Sequence, residues 1–300
     1  MIRYFKATLL AIIVLNTISC KNETRITEDA TINDTIAKVD ASRIISLNSA
    51  VTEIVSALGY QGNIVGVDVT STYPEDIKTK ANDLGHTSQV NIESMMELKP
   101  TLVLATDADI SNDLEEKLAT AGVTVKKFTQ DFSVNGTKKL IEEVAVTINE
   151  KDYKPLQDKI DADLQKIKLV EPAPKVLFIY ARGANMMMVS GTGTAEEKVI
   201  KLAGGQNAVT EFEDFKPLTP EALIKNNPDV LLMYNSGLQS LGGIEGVLKI
   251  PGVDKTNAGK NKKIVAMDGG LVHAFGPRVG EAAAQLNALL LTTQPAASAK

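Results

Sequence analysis

Gly66-Val-Asp-Val-Thr-Ser-Thr-Tyr-Pro-Glu75 is the stretch from which the chain is read. An apolar run, Asn63-Ile-Val-Gly-Val67, leads into it. Pro74 biases Tyr73 away from right-handed helical backbone, so the run ends in a turn instead of a helix. The expectation is a strand with an aromatic hydroxyl beyond its carboxyl end, where α/β sheets bind ligands. Upstream, Arg43-Ile-Ile-Ser-Leu47 reads as a strand, and Ser49 to Leu58 carries apolar residues at helical spacing, closed by Gly59. Downstream, Asn91 to Leu98 reads as a helix stopped before Pro100, Thr101 to Ala105 as a buried strand, Ser111 to Ala121 as a helix and Val123 to Phe128 as a strand. Strands separated by helical runs predict a parallel sheet covered on both faces.

From Val134 to Leu169 the apolar residues recur at three- and four-residue intervals among many charges, which predicts one long or slightly broken helix closed by Glu171-Pro-Ala-Pro174. Lys175 to Tyr180 opens a second round of the same order: helix Ala195 to Ala203, helix Pro220 to Lys225, strands Asp229 to Tyr234 and Lys263 to Met267, and helix Val279 to Leu291. The fold class is therefore α/β, two Rossmann-like lobes with parallel sheets joined by one long interdomain helix. The expected divisions are a lobe over 42–132, the connection over 133–171, a lobe over 172–292 and a tail over 293–300.

With 300 residues, 44% hydrophobic and 23% charged, the chain has material for two such lobes. A basic start with Arg3 and Lys6, an apolar run from Ala7 to Leu15 too short to remain as a membrane span, and Thr17-Ile-Ser-Cys20 predict a signal peptide over 1–19. The segment resembles a bacterial lipobox, with Thr17 in place of the usual leucine. That resemblance implies lipidation of Cys20, the only cysteine, and a protein exported to the periplasmic side and held to a bacterial membrane through its lipid alone. The alternative is a free thiol at an ordinary cleavage site. Loss of Arg3 and Lys6 would move the formal charge from −5 to −7, which disfavours nucleic acid as a partner. Residues 20–41 are polar, with no apolar period, and read as a flexible tether that spans at most roughly 70 Å.

Several segments resemble the cluster of periplasmic binding proteins that serve ABC importers of haem, corrinoids and ferric siderophores. They are Arg43-Ile-Ile-Ser-Leu with Thr52-Glu-Ile54, Leu98-Lys-Pro-Thr-Leu-Val-Leu104 and Leu202-Ala-Gly-Gly-Gln-Asn207. Thr70-Ser-Thr-Tyr-Pro74, Phe215-Lys-Pro-Leu218, Gly237-Leu-Gln-Ser-Leu-Gly-Gly243 and Ala274-Phe-Gly-Pro-Arg278 are similar to motifs of the haem-binding branch. The resemblance implies a monomeric carrier, not an enzyme, that holds ferric protoporphyrin IX in a cleft and delivers it to an ABC permease and ATPase. Tyr73 would be the axial ligand. The chemistry agrees, because a ferric ion is hard and takes an anionic phenolate oxygen, and tyrosine is an established haem ligand type.

Other pocket candidates follow from the same resemblance. Members that pair an arginine with the ligating tyrosine carry it in a segment that here reads Tyr234-Asn-Ser236, so Arg182, after the first strand of the second lobe, is the candidate propionate or phenolate partner. His86 and His273, the only histidines, are candidates for the cleft, as are Met187 and Met188, whose polarizable side chains suit a porphyrin face, together with Lys216 and Arg278. Two histidines are few for the zinc- and manganese-binding relatives. Glu53 and Glu197, early in the two leading helices, are expected to dock on the permease; the plain alternative for each is an acidic first turn that complements the helix dipole. A corrinoid or siderophore is the competing cargo. A hydrolase is a remote alternative, since no Gly-x-Ser-x-Gly elbow occurs.

Overall fold

The computed structural model describes residues 39–292. The expected signal peptide, Cys20, most of the expected tether and the expected 293–300 tail lie outside the described residues. Strands β1 (Ile44–Ser46), β2 (Ile64–Val67), β3 (Asn82–Asp83), β4 (Leu102–Thr106) and β5 (Thr124–Phe128) form a parallel sheet in the order β3-β2-β1-β4-β5. β1 is buried along its whole length and pairs in parallel with both β2 and β4, the arrangement its apolar sequence requires. Helix Ser49–Val55 follows, started by Asn48, whose side chain accepts a hydrogen bond from Val51 N, and all seven of its residues are buried.

The second sheet differs from the expected parallel one. Strands β6 (Lys175–Ala181), β7 (Met187–Ser190), β8 (Gln206–Asn207), β9 (Phe215–Pro217), β10 (Val230–Tyr234) and β11 (Ile264–Met267) run in the order β11-β10-β6-β7-β9, with β8 beside the start of β6. β10, β11, β6 and β8 are parallel, whereas β7 pairs antiparallel with both β6 and β9. The cause is local: Arg182 N donates to Met186 O at 2.9 Å around Gly183, whose φ of 74° suits a residue without Cβ, so the chain turns straight back as a hairpin.

The connection between the sheets is two helices, Val134–Thr147 and Lys154–Leu164, the broken form of the expected long helix. Asn149 takes a left-handed φ of 60°, Glu150 accepts from the N–H groups of Lys151 and Asp152, and a proline lies in the first turn of the second helix. The helices fold against each other, Lys138 pairing with Asp161 at 2.6 Å and Gln157 Nε2 donating to Lys138 O. One apolar cluster runs through both lobes, from Ile44 and Ile54 through Leu140 and Ile141 to Phe178, Val199 and Leu286. Among the described residues, no helix is long and apolar enough to cross a membrane.

Candidate functional site

The carboxyl ends of strands from the two sheets face a common cavity of about 440 Å3, within the roughly 300–1,000 Å3 of small-ligand sites. From the first lobe come Val69, Thr70 and Thr72, beyond β2, and His86, beyond β3; from the second come Tyr180 near the end of β6 and Arg182 just after it, Met188 on β7, Glu196, Phe215 on β9, Tyr234 closing β10, and Gly269, Gly270 and His273 beyond β11. The walls approach closely at Gly270, where a Cβ would lie 2.5 Å from Thr72 Oγ1. A larger depression of about 560 Å3 on the first lobe has Asp107, Asp109, Asp113 and Lys117 in its lining and lacks aromatic residues.

The second-lobe wall is aromatic. Tyr234 lies 4.7 Å from Phe178 and 6.1 Å from Tyr180 between ring centroids, and the Arg182 guanidinium is 5.7 Å from the Tyr180 ring. Glu196, 1% exposed, sits in the first turn of helix Ala195–Leu202 and accepts from the Tyr234 hydroxyl, with His273 Nδ1 3.2 Å from the same oxygen. Burial, and then the Glu196 charge and hydrogen bond, push the Tyr234 phenol well above its ordinary value, while the hydrogen bond to Glu196 raises His273 against the opposing effect of burial. A polar annex of about 110 Å3 shares Val69, Thr70, His86 and His273 with the cavity and adds Asp68 and Asp109 to its lining.

A second cluster binds the lobes together. Arg278 Nε donates to Glu53 Oε2 at 2.9 Å and Nη2 to Oε1 at 2.5 Å, while the guanidinium carbon lies 3.6 Å from the centroid of the Tyr73 ring. Burial raises the Glu53 carboxyl above its ordinary value despite the pull of Arg278. The preceding segment is anchored as well: Gln130 Nε2 donates to Ala274 O, Thr137 Oγ1 donates to Phe275 O, and Phe132 meets Phe275 edge to face.

The cavity thus gathers Arg182, His86, Met188 and His273 from the residues expected there. Met187 does not join them, because strand alternation turns it to the opposite face, against the core around Leu177 and Val189. Lys216 lies over the Phe212 ring at 4.6 Å, and Arg278 is held by Glu53. Tyr73 stands half-exposed beside the cavity, next to Thr72 but outside its lining, with its ring face under Arg278. The expected docking surface at Glu53 and Glu197 is corrected: Glu53 is 4% and Glu197 0% exposed. Arg278 takes up the first carboxylate, and Lys198 and Lys201 fold over the second. Tyr180, Tyr234, Phe215 and Glu196 were not identified as wall residues. The signal for the two tyrosines was available, since each lies at the carboxyl end of a parallel strand, as Tyr73 follows one.

Residues 44–270 match the family described as Periplasmic binding protein. Among relatives, the uncharacterized ABC transporter substrate-binding lipoprotein YvrC of Bacillus subtilis is 29% identical over 267 residues, covering 86% of this chain and 83% of that one. The cobalamin-binding protein of Halobacterium salinarum is 26% identical over 271 residues, covering 85% and 71%. Among solved structures, the periplasmic haem-binding protein RhuT from Roseiflexus sp. RS-1 in apo form matches with a TM-score of 0.78 at 33% identity, covering 84% of this chain and 98% of that one. The periplasmic haem-binding protein HutB of Vibrio cholerae matches at 0.74 and 30%, covering 83% and 99%. An interlobe cavity lined from strand ends accords with these matches: the chain belongs to the periplasmic binding protein family, whose members bind substrates for transport and are not enzymes.

Proposed function

We propose that the protein captures ferric haem between its lobes and delivers it to an ABC permease. The observation that carries this reading is the cavity wall: Tyr180, Phe215, Tyr234 and Met188 offer flat or polarizable surfaces to a macrocycle, and Arg182 offers a cation to its propionates. The solved haem-binding neighbours support it. Iron requires a phenol that is free to lose its proton. Tyr234 is committed to Glu196, whereas the hydroxyls of Tyr73 and Tyr180 have no hydrogen-bond partner among the described residues. Tyr73, at the exposed rim, is the proposed axial ligand. Titration of ferric haem followed by visible absorption tests this: Tyr73→Ala should abolish the phenolate-to-iron charge-transfer band and Tyr180→Phe should retain it, with the reverse result assigning the iron to Tyr180. The cobalamin-binding relative favours a corrinoid as second reading. Tight binding of cobalamin with no haem band would select it.

Docking on a permease needs exposed carboxylates, and an internal repeat supplies one per lobe. Asn91-Ile-Glu-Ser-Met-Met-Glu-Leu-Lys-Pro100 and Thr219-Pro-Glu-Ala-Leu-Ile-Lys-Asn-Asn-Pro228 share a side-chain N-cap, an exposed glutamate at the second helical position and a positive-φ residue before proline. Glu93 and Glu221 are therefore the proposed contacts in place of Glu53 and Glu197. Charge reversal at both should prevent haem uptake into vesicles carrying the permease while leaving haem binding intact. Lipid anchoring through Cys20 is proposed from the sequence, and Cys20→Ala should release the protein from the membrane fraction.

A further inference from the structure

Asp68 follows β2 directly and is 1% exposed, and its carboxylate meets no cation among the described residues. Neutral donors satisfy it instead. Thr70 N donates to Oδ2 at 2.8 Å, the Thr70 hydroxyl donates to the same oxygen, and Ser71 Oγ donates to Oδ1 at 2.5 Å. A buried carboxylate kept without a cation is costly, and here each of these donors lies in the loop that carries Tyr73. The Asp68 main chain holds the same loop. Its N–H donates to Ser46 O on β1 at 3.3 Å, and its carbonyl accepts from Ser71 N at 3.3 Å and from Lys78 Nζ at 2.6 Å. Lys78 is tied in turn to Asp83 at 2.9 Å. Asp68 therefore closes the loop on itself, with Tyr73 midway between residues 68 and 78.

Two neighbouring residues of one buried helix fasten this loop to the first lobe. Thr52 Oγ1 lies 2.8 Å from Ser71 Oγ, and Glu53 holds Arg278 against the ring of Tyr73. Both belong to helix Ser49–Val55, which is buried along its length. Tyr73 is thus half-exposed but tethered, its loop through Asp68 and Ser71 and its ring face through Arg278. A ligating side chain on a free loop loses conformational entropy when cargo binds, whereas one that is already ordered does not.

We infer that Asp68 is a positioning residue that orders the Thr70–Tyr73 segment before cargo arrives, so that the Tyr73 oxygen meets iron without rearrangement of the loop. The inference rests on the haem reading. Asp68 lies outside the lining of the main cavity and acts only through the loop.

The test uses the full chain in two arms. In the first, 3-fluorotyrosine is incorporated and the cargo-free protein is read by fluorine NMR, with Tyr73→Phe identifying the Tyr73 line. Asp68→Ala should shift or broaden that line and leave those of Tyr180 and Tyr234 in place; Asp68→Asn, which keeps an oxygen acceptor, should restore it in part. In the second arm, ferric haem is titrated into Asp68→Ala with and without Tyr73→Phe. With Tyr73 present, Asp68→Ala should weaken binding roughly tenfold, the low end of the cost of losing a partner behind a metal ligand. With Tyr73→Phe in place it should add no further loss, a non-additivity that a merely structural role would not produce. Ser71→Ala, which removes one hydroxyl and leaves the carboxylate, should show the same pattern with a smaller loss, and carries the test if Asp68→Ala fails to fold. An unmoved Tyr73 line, or an equal loss in both backgrounds, overturns the assignment and leaves the haem reading in place. A wild type with no haem band overturns both.

Discussion

The leading helix of each lobe carries buried glutamate, and Glu53 in the first and Glu196 in the second are satisfied differently. Glu53 is met by a guanidinium in a two-pronged ion pair from the other lobe, so charge is balanced by charge. Glu196 is met by a phenol and an imidazole at the cavity wall, groups that change protonation or take a ligand. The same side chain on the leading helix is thus a structural tie in one lobe and a component of the binding wall in the other. The partner distinguishes them, not the burial.

The largest expected effect tests the first half of that contrast. Arg278→Ala leaves a buried carboxylate unpaired and should cost about 3–5 kcal/mol in urea unfolding; adding Glu53→Gln should recover part of the loss. Glu196→Gln should cost less, about 1–2 kcal/mol, because its neighbours keep a polar partner. If the two single variants prove equally destabilised, the contrast between tie and wall fails. Asp163 sharpens the comparison through pH. It is buried on the second connecting helix, where burial raises its carboxyl but hydrogen bonds and ion pairs with Lys159 and Lys166 outweigh this and hold it below the ordinary value. A lowered folded-state value means that the stabilisation is complete above the unfolded carboxylate range and is lost as pH falls through the folded value. Wild type and Asp163→Asn should therefore differ in melting temperature at neutral pH and converge in acid. The smallest effect belongs to the exposed Lys117–Asp113 pair, whose removal should leave the melting midpoint unmoved.

How much could be read from the sequence depended on the range of the interaction. The strand and helix order followed from local periodicity, and helices such as Asn112–Thr120 and Ala195–Leu202 fall within the predicted segments. Local spacing allowed a break in the connection but could not place it at Asn149, because either side of it continues a helical pattern. It also gave no hint that Arg278 reaches Glu53 across 225 positions, and so left that glutamate free for the surface. His273 and Met188 were placed in the cleft by motif, but the Glu196 link 77 positions away, which gives His273 its orientation, exists only in three dimensions.

The Ala274–Arg278 segment bears on how cargo enters and leaves. Its ends sit between His273 at the cavity and Glu53 across the divide, and its carbonyls are stapled to Gln130 and Thr137. Wide gaping of the halves would have to break all of these links together. Loading and unloading should therefore leave the two halves close together and the scaffold beneath the cavity staying still.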